Sequence, residues 1–267
     1  MKKSSHQSVL ITGASAGIGR EFAKIFAREG YQLVLVARNA QALQDVANSL
    51  QTEHGVSVRT LSKDLSQPLT PEEIYRELQR DSLAIDVLVN NAGAGVGGLF
   101  KDTDLAAELS MIQLNLTSLT HLTKLFLRDM LKRGSGKILN VSSTAAFQPG
   151  PTMAVYYATK AYVLSFSEAL AEEVRGTGVT VTCLSPGSTV TEFQKRAGIS
   201  GIRLLKFRTM DAATVAREGY EGLIQGKTLV IPGFFNRLFA FGVRLVPRRL
   251  VTWAVWWLHR KSEDSKS

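Results

Sequence analysis

Seven short runs rich in Val, Leu and Ile recur along this chain, with longer stretches of helical period between them. The runs are 9–12, 33–37, 56–61, 87–90, 137–142, 179–184 and 228–231; the helical stretches are 17–29, 40–53, 71–79, 105–132, 155–174 and 212–225. A strand that is apolar at nearly every position must be covered on both faces, and strand–helix alternation achieves this with a parallel sheet. Right-handed crossovers then wind helices over both sides and leave a ligand crevice at the carboxyl ends of the strands. The expected fold class is therefore α/β: a doubly wound, seven-stranded parallel sheet over 1–232, followed by a C-terminal helical extension over 233–267.

Several function classes drop out early. One cysteine, Cys183, excludes an internal disulfide and a thiolate zinc cluster, and fits a reducing compartment. In its strand Cys183 reads as a core residue rather than a nucleophile. His6, His54, His121 and His259 form no close-spaced pair, so no metal site is expected. No stretch reaches the ~20 apolar residues of a spanning helix, and no signal-peptide core precedes the first glycine-rich turn. The expected location is cytoplasmic.

The glycine-rich turn is Thr12-Gly13-Ala14-Ser15-Ala16-Gly17-Ile18-Gly19, between the first strand and the first helix. Its glycines allow a tight turn and close approach to a pyrophosphate, whose charge the helix N-terminus meets with free N–H groups. The bland alternative is a strand–helix turn that merely needs small residues. Arg38 stands 19 residues after Gly19, in Val36-Ala37-Arg38-Asn39, where a carboxylate would bind the ribose hydroxyls of NAD. A guanidinium there suits the extra phosphate of NADP(H); the alternative is a solvated loop arginine. Tyr156 and Lys160, at i and i+4, share one helix face. A free phenol titrates near ~10, and one ammonium at ~4 Å supplies about the 4 kcal/mol that would bring it near neutrality. Spacing alone leaves Tyr157, at i−3 from the same lysine, as a competitor.

These residues, taken together, resemble the short-chain dehydrogenase/reductase family over about 9–232. The resemblance rests on motifs in the family's order: Thr12 to Gly19, Asp64-Leu65, Asn90-Asn91-Ala92-Gly93, Asn115, Val141-Ser142-Ser143, Tyr156-x3-Lys160, and Pro186-Gly187 through Thr191. It implies a Rossmann fold and selects Ser143, 13 residues before Tyr156, over Ser142 and Tyr157. By the same resemblance Ser143 orients a substrate carbonyl and Tyr156 moves its proton. Lys160 holds the nicotinamide ribose and lowers the tyrosine pKa, and Asn115 supports a water-linked proton relay. Gly13, Ser15, Gly17, Ile18, Gly19, Arg38, Asp64, Asn91, Ala92, Gly93, Tyr156, Lys160, Pro186, Gly187 and Thr191 would surround the cofactor. Asp64 and Asn91 keep bland alternatives, as a loop cap and as a strand-to-strand strut.

Relatives of this kind pair through their long helices, here 105–132 and 155–174, so a homodimer or homotetramer is expected. The segment 188–212 is the expected substrate lid, with Gly198 and Gly201 as hinges. The formal net charge is +9, and all of it comes from 195–267, with 14 basic and 5 acidic residues. The tail also carries Phe234, Phe235, Phe239, Phe241, Trp253, Trp256 and Trp257. It reads as helices covering the pocket or building a subunit interface, or as a peripheral membrane contact, with Pro247 preventing a span. Similar tails in hydroxysteroid dehydrogenases and 3-oxoacyl-thioester reductases imply an apolar, lipid-like ketone as the small-molecule substrate. Two other classes remain. One is a catalytically silent NADP(H) sensor or partner-binding protein, disfavoured by intact Ser143, Tyr156 and Lys160. The other is a nucleic-acid binder, which charge alone suggests and for which no module appears.

Overall fold

Every residue of the first strand, β1 (Ser8–Thr12), is buried, as a strand covered on both faces must be. The computed structural model describes residues 7–199 and 209–259. The expected hinge Gly201, much of the expected lid and the tail beyond His259 lie outside the described residues. From β1 the chain alternates through α1 (Gly17–Arg28), β2 (Gln32–Ala37), α2 (Ala40–His54), β3 (Val58–Ser62), α3 (Thr70–Arg80) and β4 (Val87–Asn90). It continues through α4 (Leu105–Ile112), α5 (Leu119–Arg133), β5 (Gly136–Val141), α6 (Ala154–Glu173), β6 (Val179–Leu184), α7 (Phe193–Arg196), α8 (Ala212–Ile224) and β7 (Leu229–Val230). The strands form one seven-stranded Rossmann-like sheet in the order β3-β2-β1-β4-β5-β6-β7, parallel at every pairing. Strand order reverses between β1 and β4, and a crevice opens at such a point.

Each strand feeds both cores, because alternate side chains point to opposite faces. Val9, Ile11, Leu33 and Leu35 pack with Phe22 and Phe26 of α1. Leu10, Val34 and Val36 pack with Ile74 of α3 and with Leu122 and Phe126 of α5.

The structure breaks the expected single helix over 105–132. Between α4 and α5 lies a π-helical segment, Gln113–Ser118. Its widened turn holds Asn115, whose amide donates to the Ala94 carbonyl at 2.9 Å and to Thr159 Oγ1 at 3.1 Å. A period of 3.6 in the sequence cannot reveal one extra residue in a turn, and such bulges recur at functional sites.

A chain of buried amides ties the sheet to the helices that carry the site. Asn90 Nδ2 donates to Thr123 Oγ1 in α5 and to Asn140 Oδ1 in β5, both at 2.9 Å. Asn140 Nδ2 donates to Ser167 Oγ in α6 at 3.0 Å. Replacing Asn140 with alanine removes one buried hydrogen bond from Asn90 and one from Ser167. The Asn140→Ala variant should therefore lose about 2 kcal/mol of unfolding free energy in urea titrations; an unchanged midpoint would show that the network contributes nothing net.

Beyond β7 the chain forms α9 (Phe234–Gly242) and α10 (Arg248–His259), with Pro247 immediately before α10. Among the described residues no helix is long and apolar enough to cross a membrane. The buried side of α10 carries Val251, Val255 and His259 at four-residue intervals. Val251 and Val255 pack with Ala145, Met153 and Tyr157, so the extension closes over the carboxyl ends of the strands.

Candidate active site

A chamber of about 1410 Å³ opens at those strand ends. Single-ligand pockets usually measure about 300–1,000 Å³, so this one has room for a dinucleotide and a second molecule. One end is built by the loop from β1 to α1. Gly13 has φ +67°, and a Cβ on Gly19 would lie 2.3 Å from the Gly13 carbonyl oxygen. Backbone cannot yield there as a side chain can, so only glycine fits. Asn91 braces the turn from β4, its amide donating to the carbonyls of Thr12 at 2.9 Å and Gly13 at 3.3 Å. The Thr12 hydroxyl accepts from the backbone N–H groups of Asn91 and Ala92, each at 3.0 Å.

Helices α2, α4 and α8 begin with side-chain caps, Asn39, Asp104 and Asp211, whereas α1, α3, α6, α7 and α9 begin without one. Helix α1 begins at Ala16 with no side-chain cap, and Ala16, Gly17 and Ile18 line the chamber. Its first N–H groups and positive dipole end are thus left for an anion. Further along the wall lie Arg38, Asn39, Lys63 and Asp64. Arg38 is largely exposed, with a guanidinium nitrogen 3.9 Å from Asp64. Asp64 also accepts from the backbone N–H and hydroxyl of Ser66, at 2.9 and 2.8 Å. The strut and cap readings of Asn91 and Asp64 are thus both present in the fold. Lys63 was missed in the sequence. Ala37 pairs with Ser62, so the neighbouring strand end brings Lys63 to the same rim as Arg38, with its ammonium paired to Glu73 at 2.9 Å, and reading strand ends together would have found it.

The other end holds Ser143, Tyr156 and Lys160, which line the same chamber. Ser143 follows β5 in extended conformation, and its hydroxyl donates to the Pro186 carbonyl at 3.4 Å. Tyr156 and Lys160 lie in the first two turns of α6. The buried Lys160 ammonium donates to the Val141 carbonyl at 3.0 Å and sits 5.8 Å from the centre of the Tyr156 ring. Burial pushes the Tyr156 hydroxyl up to about 12, against a hydrogen bond from Ser143 that lowers it. The same burial pulls Lys160 down to about 8. Burial thus opposes the expected acidification of Tyr156 by Lys160, because withdrawal from water disfavours both charged forms.

Ser15, Ala92, Gly93, Pro186, Gly187 and Thr191 complete the lining; Gly19 and Asn115 stand behind it, bracing the turn and the wall. The competitors are committed elsewhere. Ser142 donates to the Lys160 carbonyl at 2.7 Å, and Tyr157 is bonded to His259 at 2.8 Å. Cys183 is fully buried, and burial raises its thiol to about 11, a state unsuited to attack. Among the described residues no group of His, Cys, Asp and Glu is arranged to hold a metal ion.

Sequence reasoning also missed His259, the last described residue of α10. Its Nδ1 lies 2.8 Å from the Pro151 carbonyl and 3.1 Å from Thr152 Oγ1. A carbonyl only accepts, so Nδ1 carries the proton and Nε2 accepts from the Tyr157 hydroxyl. This latch fastens α10 to the residue beside Tyr156. Burial holds the His259 pKa below its ordinary 6.5. The folded chain therefore takes up this proton at lower pH than the unfolded chain, and the latch contributes fully above about 6.5 and is lost below it. Melting temperature should fall more steeply between about pH 7 and pH 5 in the native chain than in His259→Asn; coincident slopes would show that His259 titrates alike folded and unfolded.

Comparison with known proteins agrees with this geometry. The family model for short chain dehydrogenase matches residues 7–199. An uncharacterized oxidoreductase of Staphylococcus epidermidis is 34% identical over 191 residues, 72% of this chain and 81% of that protein. The 17-beta-hydroxysteroid dehydrogenase type 3 of Mus musculus is 35% identical over 198 residues, and the match spans 72% of this chain but 63% of that protein. The solved structure of a short-chain dehydrogenase from Sphingobium yanoikuyae in complex with NADPH superposes with a TM-score of 0.81 at 35% identity, covering 90% of this chain and 94% of that one.

Proposed function

The chain belongs to the short-chain dehydrogenase family, and on that premise we propose that it is an NADP(H)-dependent oxidoreductase reducing the ketone of a bulky, apolar substrate. One observation carries this reading: Ser143, Tyr156 and Lys160 share a single chamber with the glycine turn and the uncapped start of α1. The chain's residues fit the cofactor. The turn excludes any Cβ at Gly19, and Arg38 presents a largely exposed guanidinium at the end where a ribose phosphate would lie, while the Lys63 ammonium on the same rim is paired with Glu73 at 2.9 Å. The NADPH complex of the Sphingobium relative supports the same choice.

When bound, NADPH supplies a hydride to the carbonyl carbon. Ser143 donates a hydrogen bond to the carbonyl oxygen, and Tyr156 gives that oxygen its hydroxyl proton as negative charge develops there. A pKa near 12 keeps Tyr156 protonated at neutral pH, ready to donate. Lys160, charged below about 8, stabilises the phenolate left behind and holds the nicotinamide ribose. Asn115, bonded to Ala94 and Thr159, supports the water-linked path that returns the proton.

The apolar substrate is read from the apolar lining around Tyr156, where Met153, Phe193, Phe235, Phe239, Val255 and Leu258 face the chamber. The mouse relative is a hydroxysteroid dehydrogenase, and a steroid is a bulky, apolar molecule of that character. The enzyme is read as cytoplasmic and as a homodimer or homotetramer through α4, α5 and α6; exposed Leu105, Leu109 and Tyr162 support such pairing, as does membership of the family.

Tyr156→Phe should cut NADPH-dependent ketone reduction by about 10² to 10⁴ while NADPH still quenches and binds with nearly native affinity; retained turnover would remove Tyr156 as the acid. The substrate class is tested in the same assay across steroids, 3-oxoacyl thioesters, aldehydes and sugars. For cofactor choice, Arg38→Ala should raise the KM for NADPH about tenfold, the loss of one charge-assisted contact, and leave that for NADH nearly unmoved. Equal changes for both would assign Arg38 no part in telling them apart.

A further inference from the structure

The surface of α9 and α10 exposes what a stable soluble face ordinarily hides. Phe234, Phe235, Leu238, Phe239 and Phe241 of α9 are exposed, Phe234 to 69%, as are Leu245, Val246, Leu250 and all three tryptophans, Trp253 to 66%. Contiguous apolar exposure of this kind marks an interaction site. The charge on the same segment is of one sign. From Pro232 to His259 the chain has four arginines and neither Asp nor Glu. Arg237 reaches Glu218 of α8 at 3.6 Å, and Arg244 lies over the Phe147 ring at 5.9 Å. Arg248 and Arg249 are exposed in the first turn of α10, at the positive end of the helix dipole, where cations lower helix stability. An external anion would offset a local cost of that kind.

We propose that the outer face of α9 and α10 docks onto an anionic lipid surface, with the mouth of the chamber against it. Arginines at the head groups and aromatic rings at the acyl boundary are the arrangement of an interfacial helix. Neither helix is long enough to cross, so the segment lies on the surface. Phe235 and Phe239 belong both to this exposed face and to the chamber wall, so docking would bring lipid to the entrance and let an apolar ketone enter without crossing water. The access route rests on the proposed substrate class; the docking itself does not.

The chain's three tryptophans all lie in α10, so intrinsic fluorescence reports on this face alone. The native chain is titrated with vesicles of phosphatidylcholine alone and with roughly 30% phosphatidylglycerol, followed by fluorescence and co-sedimentation. The expected result is a blue shift and co-sedimentation with the anionic vesicles. The double variant Arg248→Gln, Arg249→Gln should bind them roughly thirtyfold more weakly, the effect of two basic side chains near an anionic surface. Absence of shift and co-sedimentation with both vesicle types overturns the proposal. So does a blue shift that appears with rising protein concentration in the absence of lipid, which would assign the face to a second copy of the chain. Tyr156→Phe separates the two readings: it should abolish ketone reduction measured without vesicles and leave vesicle binding as in the native chain.

Discussion

Withdrawal of Tyr156 and Lys160 from water is the constraint around which this site is arranged. An ammonium and a phenol one helical turn apart would in water differ little from free side chains. In the chamber the phenol is held protonated and the amine is brought within reach of neutrality, because burial penalises the charge on each. The Val141 carbonyl gives the amine a fixed partner, and Ser143, whose hydroxyl rests on the Pro186 carbonyl, lowers the phenol's pKa against its burial. Proton position in this pair therefore depends on what else enters the chamber, which is the sensitivity an acid catalyst needs.

Everything that holds the pair in place comes from the strand ends. Ser143 follows β5, the Lys160 ammonium leans on the last residue of β5, and Asn115 reaches from a widened turn to both Ala94 and Thr159. The amide chain from Asn90 through Asn140 to Ser167 fixes α6 against the sheet. At the opposite end Asn91 and the bare α-carbon of Gly19 fix the first turn. One rigid sheet thus sets the distance between a cofactor cradle and a proton donor.

The C-terminal extension joins two roles in one pair of helices. Its inner side completes the chamber through Val255 and Leu258 and is latched by His259. Asn236 of α9 sits so close to Gly187 that any side chain there would collide with it. Its outer side is aromatic and basic. A wall made of two short helices is easier to loosen than a sheet edge, since its attachment is a few contacts rather than a ladder of backbone hydrogen bonds.

Much of this was legible before any coordinates. Period and burial are local properties, so seven apolar runs yielded seven strands and the doubly wound order, with ends displaced by a residue or two as fraying allows. Glycine spacing marked the turn, and family order separated Ser143 and Tyr156 from Ser142 and Tyr157. The amino-acid sequence by itself thus determined the sheet, the turn and the residue types at the site. Only the tertiary structure decided the π-helical turn at Asn115, the placing of Lys63 on the rim that Arg38 shares, the latch from His259 to Tyr157, and the burial of Tyr156 and Lys160 together. Each of these depends on groups distant in the chain meeting in space, or on how completely water is excluded where they meet, and neither is written in the spacing of residues.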